Sequence, residues 1–190
     1  FFWAVGVGKT RAAERAEKRR RPALAVEHWL ADMLVFRKLR AETGGRLRFC
    51  VSGGAPLPRE ITEFFFAIGL PVLEGYGTTE ASPVLAVNTP ENFKIGSVGK
   101  RLPGVEISIA DDGEILARGP NIMSGYFNKP TLTSEALRNG WYHTGDIGHI
   151  DADGFLVITD RKKELIVTSG GKKVAPQPIE WLLKTSNYIA

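Results

Sequence analysis

Between residues 47 and 76 the sequence alternates apolar runs with glycine turns in a way that few folds accept. "RLRFCVSGG" predicts a strand entering a glycine turn. Pro58 suits the first turn of the helix that follows, where its missing N–H costs nothing. Ile61, Phe64, Phe65 and Ile68 recur at i, i+3, i+4 and i+7, so that helix has an apolar face. Gly69 ends it, and "PVLEGYG" predicts a second strand running into a second glycine loop. A helical crossover makes the two strands parallel. Open α/β sheets take ligands at the carboxyl ends of their strands, so Gly53 to Pro56 and Gly75 to Glu80 are expected within reach of one ligand.

The flanking segments have other textures. Residues 23–42 predict a helix on which Val26, Leu30, Met33, Leu34 and Arg37 share a face, with Gly44-Gly45 as its stop. After residue 95, "GVEISIADDGEILARG" alternates apolar and polar residues about a "DDG" turn, which predicts a hairpin. A short helix is expected near Thr131 to Arg138, stopped by Gly140. "WYHTGDIGHIDADGFLVITD" predicts a second hairpin around Asp151 to Gly154. The fold class is α/β: a parallel β-α-β portion, a small antiparallel or barrel-like sheet, then the start of a further domain. The expected divisions are 1–93, 94–159, a charged hinge at 160–163, and 164–190, where Pro178 opens a last helix. About 30 residues bury no core alone, so the last part reads as incomplete. "FFWAVGVGKTR" lacks both an initiator Met and a signal-peptide pattern, so an internal piece of a longer chain is expected.

Composition excludes several classes. The longest apolar run, Phe64 to Leu73, is too short to span a bilayer and is interrupted by Gly69 and Pro71. One cysteine, Cys50, rules out an internal disulfide framework and fits a reducing, cytoplasmic compartment. The sequence pI near 9.3 suggests nucleic acid, but the charge is local. Lys9 to Arg21 holds seven Lys/Arg and two Glu, a net of +5 against a total of +4. That run reads as a solvated helix or linker. Contact with the anionic inner face of a membrane is the sharper alternative. "VGVGKT" imitates a phosphate-binding loop, yet Trp3 stands where the pattern needs glycine. His28, His143 and His149 lack metal-ligand spacing and read as surface or packing residues.

"GYGTTE", residues 75–80, carries chemistry. Its glycines let the backbone approach a ligand closely. Consecutive hydroxyls and N–H groups suit phosphate oxygens, and a carboxylate beside them suits Mg²⁺ already bridged by phosphates. The aromatic ring offers a face to a nucleobase. Each part alone has an ordinary reading as a loop.

The run "EGYGTTEASP" resembles the Tyr-Gly-x-Thr-Glu motif of the adenylate-forming superfamily, which includes acyl-CoA synthetases, luciferases and peptide-synthetase adenylation domains. "SGGAPL" at 52–57 resembles the adenine loop of that superfamily, and "WYHTGDIG" at 141–148 its Trp-x-x-Thr-Gly-Asp motif. "DGFLVITDRKKELIVTSGGKKVAPQPIE" resembles its hinge and following loop, most closely as in bacterial long-chain fatty acid–CoA ligases. The resemblance implies the large N-terminal domain of such an enzyme and the beginning of its small C-terminal domain. It implies that Tyr76 stacks on adenine and that Gly53, Gly54, Ala55 and Pro56 line the adenine and ribose pocket with Gly75, Gly77 and Thr78. Thr79 is expected to hold the α-phosphate, Glu80 to bind Mg²⁺, Asp146 to accept the ribose hydroxyls and Arg161 to contact ribose or phosphate. Ile158 is placed beside the nucleoside, Lys163 at the pivot of the hinge, and Gly170, Gly171 and Lys172 near a thiol tunnel. The implied reaction joins a fatty acid to coenzyme A through an acyl-adenylate, consuming ATP. The Pro-Lys-Gly phosphate loop and a C-terminal lysine of that superfamily have no match here, so the piece alone is expected to be inactive. Two other readings stay open: an acyl-AMP ligase serving a carrier protein, and an inactive binding or scaffold protein.

Overall fold

The computed structural model describes residues 1–16, 22–163, 166–167, 173–174, 176, 179–180 and 183. The chain forms two compact units, Phe1–Gly77 with Ala86–Lys100, and Thr78–Leu85 with Arg101–Ala190.

The first unit begins with α1 (Phe2–Ala16), which buries Ala4, Val7 and Ala12. The glycine run that imitates a phosphate loop is therefore helical. A Cβ on Gly8 would stand 2.5 Å from the Ala67 carbonyl oxygen, so glycine here allows two helix backbones to touch. The second helix is α4 (Arg59–Ala67). Lys9 meets Glu63 at 3.2 Å and Arg11 meets Glu14 at 3.0 Å, so part of the basic run is paired within the fold. The remainder of that run, from residue 17, lies outside the described residues.

The helix expected over 23–42 forms in three pieces: α2 (Pro22–Ala31), a π-helical stretch at Asp32–Phe36, and α3 (Arg37–Glu42). The face carrying Val26, Leu30, Met33 and Leu34 is exposed, while Ala31 and Phe36 are fully buried. A π turn widens the helical repeat and shifts the residues after it around the axis, which a fixed 3.6-residue count does not register. Phe36 joins Ala4, Val7, Ile68 and Leu70 in one apolar core. Burying a side chain of that size contributes about 2 kcal/mol. Arg40 closes the end of α4, its Nη1 donating to the Ile68 carbonyl at 2.7 Å and its Nη2 meeting Asp32 at 2.8 Å.

Strand β1 (Cys50–Ser52) pairs in parallel with β2 (Val72–Gly77), with Cys50 opposite Val72 and Ser52 opposite Glu74. This is the crossover that the glycine and apolar pattern predicts, although residues 46–49 form no strand. The sheet order is β1-β2-β3-β4, completed by β3 (Val84–Val87) and β4 (Lys100–Arg101). Asn88 holds the connecting loop, its Nδ2 donating to Ser97 O at 2.7 Å while its Oδ1 accepts Lys94 N–H at 3.0 Å. Gly99 closes it at φ +90°, where a Cβ would lie 1.9 Å from the Val87 carbonyl carbon.

The second unit is built on antiparallel pairs. β5 (Glu106–Ile109) and β6 (Glu114–Arg118) form the hairpin expected at "DDG". β8 (Trp141–Ile150) and β9 (Leu156–Arg161) form the one expected at "DADG". Helix α5 (Pro130–Ala136) stops earlier than expected, because Leu137–Arg138 leave it as β7 and pair with Tyr142 and Trp141. The order is β5-β6-β8-β7, with β9 also on β8. Ile115, Ala117, Tyr142, Phe155 and Leu156 are buried. Beyond β9, Ile166–Val167 and Lys173–Val174 pair antiparallel as β10 and β11.

Candidate functional site

In the first unit the candidate residues gather at the carboxyl ends of the parallel strands. Gly53 follows β1, and a Cβ on it would stand 3.2 Å from the Gly75 carbonyl oxygen, so the loop after β1 runs beside the end of β2, where the expected glycine loop at Gly75–Gly77 is strand. Gly54 has φ +85°. Ala55 and Pro56 are exposed. Tyr76 is the penultimate residue of β2, with 8% of its surface exposed.

In the second unit, Thr78 leads into one 3₁₀ turn, Thr79–Ala81, and Ser82 leaves it in the left-handed region at φ 54°. Thr79 is exposed and Glu80 half-buried. A neighbouring segment holds this turn by its backbone. Asn121 Nδ2 donates to Ala81 O at 2.8 Å and to Val84 O at 3.0 Å, and Met123 N–H donates to Glu80 O at 2.7 Å. The Tyr126 hydroxyl donates to Glu80 Oε1 at 2.7 Å. Burial raises the Glu80 carboxyl, but the hydrogen bond from Tyr126 and its own backbone, with the Thr78 and Tyr142 hydroxyls nearby, outweigh it and lower its pKa. Burial, with the Glu80 charge nearby, pushes the Tyr142 phenol up to about 12, against the Thr78 hydroxyl, which lowers it. Thr78 Oγ1 is buried and has no partner of good hydrogen-bonding geometry, although it stands close enough to influence both neighbours. An ionised carboxylate beside threonine hydroxyls suits a divalent cation carried in on phosphates. Among the described residues no group of three or more His, Cys, Asp or Glu is placed to hold a metal ion.

The Thr-Gly-Asp run lies within β8 at a break in register. Leu116 faces His143, but Glu114 faces Ile147, so two residues of β6 span four of β8. Such a bulge re-aims side chains. Gly145 supplies the φ of +74° that the bend needs. Thr144 Oγ1 donates to Ile115 O at 2.8 Å and accepts Asp146 N–H at 3.1 Å. Asp146, 5% exposed, accepts Arg161 Nε at 3.1 Å, and the two residues are paired across β8 and β9. Ile158 is half-buried opposite Gly148. Asp160 and Arg161 belong to β9, Lys162 N–H donates to Gly145 O at 2.8 Å, and Lys163 is exposed in the turn that follows. Gly170, Gly171 and Lys172 lie outside the described residues.

Sequence reasoning missed the groups that brace these positions. Glu114, 4% exposed, accepts Gly145 N–H at 3.0 Å and Lys162 Nζ at 2.9 Å. Tyr126 lies 46 residues from the carboxylate it bonds, beyond any local pattern. His143, expected to be a surface or packing residue, contacts Glu114 at 3.1 Å.

The model of the AMP-binding enzyme family matches residues 12–127. A relative in Mycobacterium bovis called long-chain-fatty-acid–CoA ligase FadD15 is 49% identical over 167 residues, 88% of this chain and 28% of its own length. Among solved structures, the o-succinylbenzoate CoA synthetase MenE of Bacillus subtilis in complex with the acyl-adenylate intermediate OSB-AMP superposes with a TM-score of 0.72 at 35% identity, covering 82% of this chain and 35% of that one. The same synthetase in complex with ATP and magnesium ion gives 0.65 at 34% identity, covering 78% and 35%. The chain thus spans about a third or less of the proteins it matches.

Proposed function

This chain belongs to the AMP-binding enzyme family, and from that premise we propose that the protein containing it is an AMP-forming long-chain fatty acid–CoA ligase. The observation that carries the reading is the 49% identity to a relative named for that activity, over 88% of this chain. The geometry supports nucleotide chemistry: an aspartate aimed by a β-bulge, an arginine across from it, and an ionised glutamate beside threonine hydroxyls.

The proposed roles follow the chemistry of each group. Asp146, an acceptor-only carboxylate, takes the vicinal ribose hydroxyls. Arg161, 62% exposed along its side chain, contacts ribose or phosphate while its Nε orients Asp146. Tyr76 presents its ring to adenine, and Gly53, Gly54, Ala55, Pro56, Gly75 and Gly77 let backbone approach the nucleoside. Thr78 and Thr79 offer hydroxyls to phosphate, and Ile158 packs against the nucleoside. Glu80 is the residue that would hold Mg²⁺, which when bound offsets phosphate charge as an anionic nucleophile arrives. In the first step a fatty carboxylate oxygen bonds to the α-phosphorus and pyrophosphate leaves. In the second the coenzyme A sulfur bonds to the acyl carbon, the thiol proton is released and AMP departs. Lys163, exposed after the last paired residues of β9, is the proposed pivot between the steps. The unpaired thiol of Cys50 suits a reducing compartment, and we place the protein in the cytoplasm.

Incubation of the full-length protein with ATP, Mg²⁺, palmitate and coenzyme A tests the reading. Palmitoyl-CoA, AMP and pyrophosphate in equal amounts are expected. Turnover of o-succinylbenzoate in place of palmitate would overturn the acid assignment. Acylation of a phosphopantetheinyl carrier protein alone would overturn the acceptor. No adenylation of any acid would favour a binding protein.

A further inference from the structure

Glu114 lies on β6 with 4% of its surface exposed and takes part in none of the roles above. Its carboxylate is placed where the β6–β8 ladder breaks. Oε1 accepts the Gly145 N–H at 3.0 Å, a donor that the bulge removes from normal pairing. Oε2 accepts Lys162 Nζ at 2.9 Å and lies 3.1 Å from His143 Nδ1. Arg138 Nη2 also approaches that nitrogen, at 2.9 Å, but one ring nitrogen cannot donate and accept at once. The buried carboxylate needs the donor more than the exposed guanidinium needs an acceptor, so Nδ1 carries the hydrogen. Lys162 is held from the other side by Asp112 Oδ2 at 2.6 Å, and its own N–H donates to Gly145 O at 2.8 Å.

The connectivity has a consequence for the site. Gly145 directly precedes Asp146, and Lys162 directly follows Arg161. One buried carboxylate therefore fixes the backbone beside both members of the Asp146–Arg161 pair, whose contact is 3.1 Å. Charge-assisted bonds of this kind are short and directional, so they set where the aspartate points as well as whether the strand stays paired. Resting on the reading that Asp146 receives the ribose, we infer that Glu114 is a positioning residue for ribose recognition, acting through Gly145 and Lys162 with Asp112 as its outer support.

The test compares ATP with 2′,3′-dideoxy-ATP, which lacks the hydroxyls Asp146 would bind, using dissociation constants measured on the full-length protein. Glu114→Gln is expected to weaken ATP about tenfold, as loss of a charge-assisted bond would. The dideoxy nucleotide should change by less than about twofold. Lys162→Met alters an exposed side chain and leaves the Gly145 bond in place. It should show the same selective loss at about threefold, and it carries the test if Glu114→Gln does not fold. Equal weakening of both nucleotides, or of neither, while Asp146→Asn still shows selective loss of ATP, would overturn the positioning role alone. A parent protein that binds both nucleotides equally, with Asp146→Asn silent, would instead overturn the ribose assignment and this inference with it.

Discussion

The two units place their candidate groups by opposite means. In the first, the loop after β1 and the end of β2 offer mostly backbone: Gly53 passes within a would-be Cβ contact of the Gly75 carbonyl, and Gly54 adopts φ +85°. In the second, the candidates are carboxylates gripped by other side chains, with Glu80 bonded to Tyr126 and Asp146 to Arg161. Backbone-shaped surfaces depend on conformation, so their weak point is steric. Side-chain-wired surfaces depend on partners, so a single polar change can disable them while the strands stay paired.

The sharpest way to break this contrast is a methyl group in the first unit. Gly99→Ala puts a Cβ 1.9 Å from the Val87 carbonyl carbon at φ +90°, and a loss of about 4 kcal/mol or failure to fold is expected by denaturant titration. A normal unfolding midpoint would remove the steric account. Next in size, Glu80→Ala should lower fatty-acid-dependent ATP–pyrophosphate exchange by about a hundredfold with under ~1 kcal/mol change in stability. Unchanged exchange would undo the metal assignment, and a collapse in stability would show that this carboxylate holds the fold. Asn121→Ala removes the donor to Ala81 O and Val84 O and should cost about 2 kcal/mol, with part of the exchange activity lost as the Glu80 turn loosens. Full activity at unchanged stability would mean the turn does not need this brace. The smallest effect is alkaline. Tyr142 has its pKa raised to about 12, so the stability it contributes is present below about pH 10 and fades as pH rises towards that value. Tyr142→Phe should flatten the fall of the urea midpoint over that range, and an identical slope in both proteins would exclude the tyrosine as its cause.

Much of the first unit was legible because its signals are local. Pro58, the i, i+3, i+4 spacing of Ile61, Phe64, Phe65 and Ile68, and Gly69 mark one helix within a dozen positions. The parallel pairing of Cys50 with Val72 follows from that crossover. The π stretch at Asp32–Phe36 was not legible, since nothing in its residues departs from an ordinary amphipathic count. Both hairpins of the second unit announced themselves by their Asp-Gly turns. The braces of the site did not. Glu114 reads as the first residue after a turn, and its value arises only when β6 meets a bulge some 30 residues later in the chain. Tyr126 similarly gains meaning only from a contact made across 46 residues.

The break in β8 also has an arithmetic. It absorbs an even number of residues, because four positions of β8 oppose two of β6. A strand alternates faces with every residue, so an even surplus restores the same phase on both sides of the interruption. Tyr142 before it and Gly148 after it are both inward, with Asp146 between them on the same side of the alternation. A single-residue insertion or deletion in Thr144–Gly145 would turn one half of the strand inside out, exposing what is now interior. Changes in pairs would keep the interior phase, at the cost of the bonds that hold Gly145 to Glu114 and Lys162, so length variation that the strand tolerates at this spot should come in twos.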